Sequence, residues 1–243
     1  MQAPQSAKSV SGSSIENRAA IMARAALVAG GSGLVGGHCL RRLLEDSHYD
    51  RVIALGRREL PLQHAKLTQH IIDFDRLGAA DGATVPAADD VYCCLGTTMK
   101  KAGSEAGFRI VDFTYVVSLA SQALAAGAKQ FLLVSSLGAG PKSPLFYNQV
   151  KGETEEAIVK LPFQGRYVFR PSLLKGDRPE HRPAERFGLA VTSGIGLALV
   201  GPLRRYRPIE AATVAAAMVR VAHQAPGGVV VYASDTIERL GQD

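Results

Sequence analysis

Gly30-Gly-Ser-Gly-Leu-Val-Gly36 is the stretch of this sequence that decides its fold. It follows a short apolar segment at residues 24–29, which predicts the first strand, and opens a helical pattern of apolar residues that continues to Leu44. Three glycines at this spacing allow a tight turn, a close approach of backbone to a pyrophosphate, and close packing of helix on strand. The start of the helix adds unpaired N–H groups and a partial positive charge. The stretch therefore predicts a dinucleotide site at Gly30, Ser32, Gly33, Leu34, Val35 and Gly36.

Short apolar segments alternate with helical segments along the rest of the chain. Strands are predicted at residues 51–55, 70–73, 90–95, 131–135, 166–169 and 229–232. Helices are predicted at residues 104–126, 147–159 and 211–222, with Gly127 as the C-cap of the first. Strands that are apolar throughout are typical of a parallel sheet covered on both faces. The pattern predicts an α/β fold, a doubly wound parallel sheet of the Rossmann type.

Two segments break this alternation. Residues 1–22 are rich in Ser, Gln and Ala and are predicted to be a disordered tail. Residues 175–208 contain four prolines and no clean strand, and we expect them to form a small insertion on the substrate side of one domain at residues 23–243. Their uncharged part after Phe187 favours a lipophilic substrate.

Composition limits the function classes. The 243 residues include 28 basic and 22 acidic residues, for a net charge of +6, which suits an anionic ligand. The basic residues are scattered without interleaved aromatic residues, so nucleic-acid binding is not expected. No segment is apolar enough to predict a membrane span. Three cysteines predict no disulfide framework and favour a reducing, cytoplasmic location. No third ligand joins His64 and His70, so no metal site is predicted.

The residues after the second predicted strand indicate which dinucleotide is bound. An acidic residue there would accept a hydrogen bond from the ribose 2′-hydroxyl of NAD(H), whereas this sequence has Gly56-Arg57-Arg58. An arginine can bind a 2′-phosphate through two hydrogen bonds. NADP(H) is therefore expected over NAD(H), with Arg57 and Arg58 in the site. Asp73, after the third strand, is a candidate contact to the adenine.

A second set of residues predicts proton chemistry. Tyr147 and Lys151 are four residues apart on one helix face, and Ser135 and Ser136 end the fifth predicted strand. A free phenol has a pKa near 10, and a nearby ammonium lowers it toward neutral pH. Such a tyrosine can exchange a proton with a carbonyl or alcohol oxygen while the cofactor moves hydride. A serine hydroxyl would hold that oxygen.

Together these stretches resemble the short-chain dehydrogenase/reductase family. They are similar to its atypical branch of Tat-interacting oxidoreductase-like proteins and their bacterial relatives. The resemblance covers about residues 25–240 and rests on five stretches: Val28-Ala-Gly-Gly-Ser-Gly-Leu-Val-Gly36, Cys93-Cys-Leu-Gly-Thr-Thr98, Val134-Ser-Ser-Leu-Gly-Ala139, Phe146-Tyr-Asn-Gln-Val-Lys-Gly-Glu153 and Phe169-Arg-Pro-Ser-Leu-Leu174. The second is the most specific to the branch.

The resemblance implies roles for individual residues. A segment past the adenosine ribose would comprise Cys94, Leu95, Gly96 and Thr97, and Pro171 would flank the nicotinamide. Tyr147, Lys151 and one of Ser136 or Ser135 would be catalytic, and the sequence leaves the choice of serine open. Family members often carry an asparagine on the long helix to anchor a water chain to the lysine, where this sequence has Asp112.

Two functions follow as expectations. The first is an NADP(H)-dependent oxidoreductase acting on a small-molecule carbonyl or alcohol, and the second is a non-catalytic NADP(H)-binding regulator. An isomerase of the same cofactor chemistry is less expected, because it would usually need a larger C-terminal domain. The sequence does not identify the substrate or the oligomeric state.

Overall fold

The computed structural model describes residues 24–79, 82–176 and 201–242, without the side chains of residues 201 and 202. Its centre is a sheet of seven parallel strands in the order β3-β2-β1-β4-β5-β6-β9. The strands are β1 Ala25–Ala29, β2 Arg51–Gly56, β3 Leu67–Ile71, β4 Asp90–Cys93, β5 Gln130–Val134, β6 Gly165–Arg170 and β9 Gly228–Ala233. All seven predicted strands are present, and the predicted doubly wound fold is confirmed. The strand order reverses beside β1, which places a ligand crevice at the carboxyl ends of β1 and β4.

Helices cover both faces of this sheet. They are α1 Leu34–Glu45, α2 Met99–Ala102, α3 Glu105–Arg109, α4 Tyr115–Ala125, α5 Phe146–Val159, α6 Ala211–Gln224 and α7 Ser234–Leu240. Alternate residues of β1 face opposite cores: Ala26 and Val28 pack with α1 and α6, and Leu27 with α4. Because both sides of β1 are buried, its sequence shows no polar alternation.

The third strand is the least accurately predicted. It spans Leu67–Ile71, several residues before the predicted 70–73, and its side chains are only partly buried or exposed. As an edge strand it carries polar residues: Gln69 Nε2 donates to the carbonyl oxygens of Leu60 and Leu62. Because β3 contains these polar residues, it lacks the run of apolar residues from which a strand is predicted.

The long predicted helix contains a change of winding. α3 continues through a π-helical turn at Ile110–Thr114 into α4. Gly127 follows with a φ of +91°, as expected of a glycine just past a helix end. A π turn adds a residue to one helical turn and often marks a functional site. This one contains Asp112, which is buried.

The C-terminal part of the chain differs from the prediction at the start of its last helix. Asp235 and Glu238 suggest a capping box for the last helix, and that interpretation is wrong because α7 begins at Ser234 and its N-cap, Ala233, makes no side-chain bond. A two-stranded pair, β7 Leu174–Lys175 with β8 Ile209–Glu210, joins the ends of the insertion. Residues 1–23 and 177–200 lie outside the described residues, so the tail, the insertion and the domain boundaries stay predictions. In the described ranges, no helix is long and apolar enough to cross a membrane.

Candidate functional site

The glycine loop joins β1 to α1 and has the geometry that a diphosphate requires. Gly30 has a φ of +85°, and a Cβ there would lie 2.5 Å from the carbonyl oxygen of Cys94. A Cβ on Gly36 would lie 2.3 Å from the carbonyl oxygen of Gly30, so only glycine lets helix and strand approach this closely. Gly33 is the N-cap of α1 and makes no side-chain cap bond, and the first turn has no acidic residue. The N–H groups at this helix start can therefore face an anion.

The segment after β4 forms the other wall of the crevice. The N–H of Cys94 donates to the carbonyl oxygen of Ala29 at 2.9 Å, which holds this segment against the end of β1. Leu95, Gly96 and Thr97 continue from there along the carboxyl edge. A Cβ on Gly96 would lie 3.4 Å from Asp112 Oδ1 and 3.7 Å from Lys151 Nζ. The segment thus links the glycine loop to the predicted catalytic lysine.

The predicted adenosine contacts lie at the ends of β2 and β3. Arg57 and Arg58 are both exposed directly after β2. Asp73 is exposed after β3, but its Oδ1 accepts the N–H of Asp75 at 3.0 Å and caps a short 3₁₀ turn. The nearby hydroxyl of Tyr115 also donates to Asp75. The arginine side chains are available to a ligand, whereas Asp73 has one oxygen engaged in the local turn.

Lys151 and Asp112 form a buried ion pair. Lys151 Nζ lies 2.8 Å from Asp112 Oδ1, and the two side chains are 8% and 0% exposed. The other carboxylate oxygen of Asp112 accepts the N–H of Thr97 at 2.8 Å. Burial alone would lower the pKa of Lys151, but the attraction of Asp112 and the nearby Tyr147 oxygen outweigh burial and raise the pKa. The ammonium is therefore held in its charged form.

The π turn positions this carboxylate. The carbonyl oxygen of Asp112 accepts a hydrogen bond from Thr154 Oγ1 at 2.9 Å. Thr154 is buried on α5, one turn after Lys151, so the same helix holds both ends of the pair. The π-helical turn and α5 thus fix Asp112 through its backbone and its side chain.

Tyr147 is the most exposed of the candidate catalytic residues. It lies in the first turn of α5, its side chain is 37% exposed, and its ring packs 5.3 Å from that of Phe108. Lys151 follows one turn later on the same helix and is close enough to interact with the Tyr147 hydroxyl. The structure therefore keeps the predicted tyrosine and lysine one helical turn apart, with the tyrosine exposed and the lysine buried.

The two candidate serines have different surroundings. Ser135 is buried, and its Oγ donates to Glu155, whose carboxylate also accepts from Arg170 Nε at 3.0 Å. Ser136 is only half-buried, and its Oγ makes one long bond of 3.3 Å to the carbonyl oxygen of Leu137. Ser135 is thus engaged within the protein, while the Ser136 hydroxyl can reorient toward a ligand.

The turn after β6 closes the described part of the site. Pro171 is buried, and its carbonyl oxygen accepts the N–H of Leu137 at 2.9 Å, which ties the loops after β5 and β6 together. Ser172 Oγ donates to the carbonyl oxygen of Arg207, and its N–H donates to Ser234 Oγ at 3.1 Å. These bonds fix the Pro171–Ser172 turn beside the serines.

The cysteines in this region are unsuited to redox chemistry. Burial raises the pKa of Cys93 to about 12. A hydrogen bond with Cys39, together with burial, raises the pKa of Cys94 well above its ordinary value. Thiols with raised pKa values are poor nucleophiles. Among the residues that the structure describes, no three His, Cys, Asp or Glu side chains could hold a metal ion.

Two functional features escaped the sequence interpretation. The first is that Asp112 pairs with Lys151, since the sequence indicated only that an acid replaces an asparagine. The second is the set of Ser135, Glu155 and Arg170, in which Arg170 pairs with Glu155. One signal was available: Glu155 follows Lys151 by four residues, so the sequence puts two charged residues on one face of this helix.

Comparison with known proteins agrees with this architecture. The model of the NAD dependent epimerase/dehydratase family matches residues 26–239. Protein HTATIP2 of Rattus norvegicus is 39% identical over 166 residues, 67% of this chain and 67% of its own length. The mitochondrial protein fmp52 of Aspergillus fumigatus is 33% identical over 225 residues, 90% of this chain and 95% of its own length.

A solved structure supports the fold. The human epimerase family protein SDR39U1, crystallised with NADPH, superposes with a TM-score of 0.59 at 17% identity, covering 86% of this chain and 74% of that one. The resemblance to the atypical branch of Tat-interacting oxidoreductase-like proteins is confirmed by the relative from the rat. The chain belongs to the NAD dependent epimerase/dehydratase family, within the atypical short-chain dehydrogenases/reductases.

Proposed function

We propose that this protein is an NADP(H)-dependent oxidoreductase that transfers hydride between nicotinamide and a small carbonyl or alcohol, with Tyr147 as the acid/base. The observation that carries the proposal is the charged Lys151, paired with Asp112 at 2.8 Å and lying beside Gly96 and Tyr147. This ion pair supports proton-transfer chemistry near the glycine loop, because Gly96 belongs to the segment that is bonded to the end of β1. An exposed phenol beside a buried cation is suited to exchange a proton with a ligand oxygen.

The glycine loop supports dinucleotide binding, because Gly30 and Gly36 permit the tight turn and the close packing that leave the N–H groups at the start of α1 open to a diphosphate. The loop would hold the diphosphate, and Gly96 and Thr97 would run past the ribose. When bound, the nicotinamide ring would supply or accept the hydride. Pro171 and the turn after it would flank that ring.

Three side chains of the protein would then act on the substrate. In the reducing direction, the Tyr147 hydroxyl gives its proton to the carbonyl oxygen as hydride adds to the carbonyl carbon, and the product is the alcohol. The Ser136 hydroxyl donates a hydrogen bond to the same oxygen. Lys151 remains protonated through the step and favours the phenolate that Tyr147 becomes.

Replacing Tyr147 tests the catalytic part. Tyr147→Phe removes one hydroxyl and keeps the ring against Phe108, so NADPH binding should stay within about two-fold of the wild type while kcat falls by at least about 100-fold. NADPH oxidation over a panel of aldehydes and ketones measures this. Leu145→Ala, close to the same helix start, is the matched control for damage to α5. Equal turnover in the wild type and Tyr147→Phe would remove Tyr147 from catalysis.

The cofactor preference rests on two exposed arginines. Arg57 directly follows Gly56 at the end of β2, next to the glycine loop on β1. A guanidinium there would bind the 2′-phosphate that NADP(H) carries and NAD(H) lacks. Arg57→Ala should weaken NADPH binding by about ten-fold and leave NADH binding nearly unchanged. Arg51→Ala, an exposed position at the opposite end of β2, is the matched control, and equal losses for both cofactors would remove Arg57 from the 2′-phosphate site.

The Asp112–Lys151 ion pair also supports a second candidate, an NADP(H)-binding regulator without turnover. The pair already compensates the ammonium charge that would otherwise favour a phenolate at Tyr147. Absence of NADPH oxidation over the whole carbonyl panel, together with saturable NADPH binding, would favour the regulator. Measurable turnover that depends on Tyr147 would exclude it.

The location proposed is a reducing compartment such as the cytoplasm. Cys39, Cys93 and Cys94 are all free thiols, and free thiols persist where the environment is reducing. The name of the relative from Aspergillus fumigatus makes the mitochondrion the alternative. Fluorescent tagging of the full chain at its C-terminus, with markers for both compartments, distinguishes the two.

A further inference from the structure

Four described segments at the carboxyl edge of the sheet carry positive charge and contain no acidic residue. Residues 94–104, 135–145, 171–176 and 203–208 contain no Asp or Glu. Their exposed cations are Lys100, Lys101, Lys142, Lys175, Arg204 and Arg205. The sequence between residues 177 and 200 contains three arginines and three acidic residues, so this segment has no net charge.

The same segments, together with the adjoining start of α5, expose large apolar side chains. Six of the ten large apolar side chains that are exposed in the described part of the chain lie here: Met99, Leu145, Tyr147, Leu173, Leu203 and Tyr206. Their exposed fractions run from 37% for Tyr147 to 63% for Leu145. We call these cations and apolar residues together the carboxyl-edge patch.

The segments that carry the patch lie at one edge of the sheet. β4, β5 and β6 are adjacent and parallel, so the loops that follow them emerge at the same edge of the sheet. The N–H of Leu137 donates to the carbonyl oxygen of Pro171, which joins the loop after β5 to the loop after β6. The N–H of Ile209 donates to the carbonyl oxygen of Leu173 at 2.9 Å, which brings residues 203–208 alongside.

The opposite edge of the sheet is different in kind. There, two cations are paired with acids: Arg24 pairs with Asp90 at 2.8 Å, and Lys129 pairs with Asp89 at 2.8 Å. The six exposed cations of the carboxyl-edge patch equal in number the net charge of +6 of the whole chain. Cations interleaved with exposed apolar side chains match the surface of an anionic bilayer, in which phosphate groups lie above hydrocarbon.

We propose that the carboxyl-edge patch binds anionic membrane surfaces, with Leu145 and Leu203 entering the headgroup boundary and the lysines and arginines contacting lipid phosphates. Such binding would face the crevice mouth at Tyr147 toward the lipid, so a lipophilic substrate could reach it without crossing water. A soluble phosphate compound would explain the cations alone but would leave the apolar residues without a role.

A tryptophan reporter tests the proposal directly. The sequence contains no tryptophan, so Leu145→Trp places a single indole in the patch, and Val229→Trp on edge strand β9 is the matched control at another exposed apolar position. Each full-length variant is titrated with vesicles of phosphatidylcholine alone and of equimolar phosphatidylcholine and phosphatidylserine. We expect a blue shift only for Leu145→Trp with the anionic vesicles, weakened by added salt.

Charge variants test the cations separately. In the Leu145→Trp background, changing Lys142, Lys175 and Arg204 to Gln should weaken vesicle binding by more than about ten-fold. The same charge loss at Arg41, Arg51 and Lys160, away from the patch, should change it by less than about three-fold. Equal losses, or binding that is the same for neutral and anionic vesicles, would overturn the proposal.

A further arm identifies the source of the phosphate. If the Leu145→Trp emission responds to inorganic phosphate but not to anionic vesicles, the cations serve a soluble anion and the membrane proposal is wrong. No response to either probe would also contradict it. Because this readout needs no turnover, its failure leaves the proposed oxidoreductase activity standing, and failure of that activity leaves the membrane proposal standing.

Discussion

Lys151 Nζ and Asp112 Oδ1 lie 2.8 Å apart in a buried ion pair that joins α5 to a π-helical turn. Removing one member of such a pair leaves an uncompensated buried charge. Lys151→Met should therefore lower the free energy of unfolding by about 3 kcal/mol. Urea unfolding followed by circular dichroism measures the loss.

The double variant Asp112→Asn/Lys151→Met provides the control for that loss. Asparagine removes the orphaned carboxylate charge and still offers an oxygen to the N–H of Thr97. The double variant should recover at least about 1 kcal/mol relative to Lys151→Met. If the double variant is less stable than Lys151→Met, the two side chains are not coupled as the structure indicates.

The same pair predicts a pH dependence. The pKa of Lys151 is raised above its ordinary value of 10.5, because the attraction of Asp112 outweighs the effect of burial. Its contribution to stability should therefore be complete below pH 10.5 and decline as the pH rises through the higher pKa of the folded state. The stability difference between the wild type and Lys151→Met, measured by urea unfolding at rising pH, should be constant up to that value and then shrink. A difference that grows with pH would contradict the assigned direction.

Two neighbouring glycines give a matched test of the phosphate loop. A Cβ on Gly36 would lie 2.3 Å from the carbonyl oxygen of Gly30, whereas one on Gly37 would lie 3.4 Å from that of Gly31. Gly36→Ala should cost about 1–3 kcal/mol of stability and abolish NADPH binding. Gly37→Ala should stay within about 1 kcal/mol of the wild type, because alanine favours the helix by a similar amount. Thermal unfolding and fluorescence titration of NADPH compare them, and similar behaviour of both variants would argue against the described loop.

The local features of this fold could be predicted from the sequence, and the non-local ones could not. The turn and the helix start between Gly30 and Gly36 depend on adjacent residues, so both could be predicted from the amino-acid sequence alone. β3 begins at Leu67, before the predicted start at residue 70, because an edge strand with polar Thr68 and Gln69 lacks the apolar run of the central strands. The pairing of Asp112 with Lys151 depends on a π turn and on contact between two helices, which no spacing indicates.

The choice between the two serines also depended on the tertiary structure. Adjacent residues at a strand end point to opposite sides, and the sequence does not say which side holds Glu155. Since Ser135 donates to Glu155, Ser135→Ala should lower the free energy of unfolding by about 1–3 kcal/mol and reduce turnover little in the protein that remains folded. Ser136→Ala should show the reverse, a fall in kcat with stability within about 0.5 kcal/mol of the wild type. Denaturation and NADPH oxidation, measured on both variants, would reject the assignment of Ser136 if the two effects were exchanged.

The central claim is that the backbone between β1 and α1 holds a nicotinamide dinucleotide. Isothermal titration calorimetry of the full chain with NADPH, NADP⁺, NADH and NAD⁺ tests it most directly. We expect saturable binding at one site per chain. Binding should be tighter for NADPH and NADP⁺, which carry the 2′-phosphate, and should be absent in Gly36→Ala. No saturable heat with any of the four dinucleotides, from protein that is folded by circular dichroism, would contradict the account.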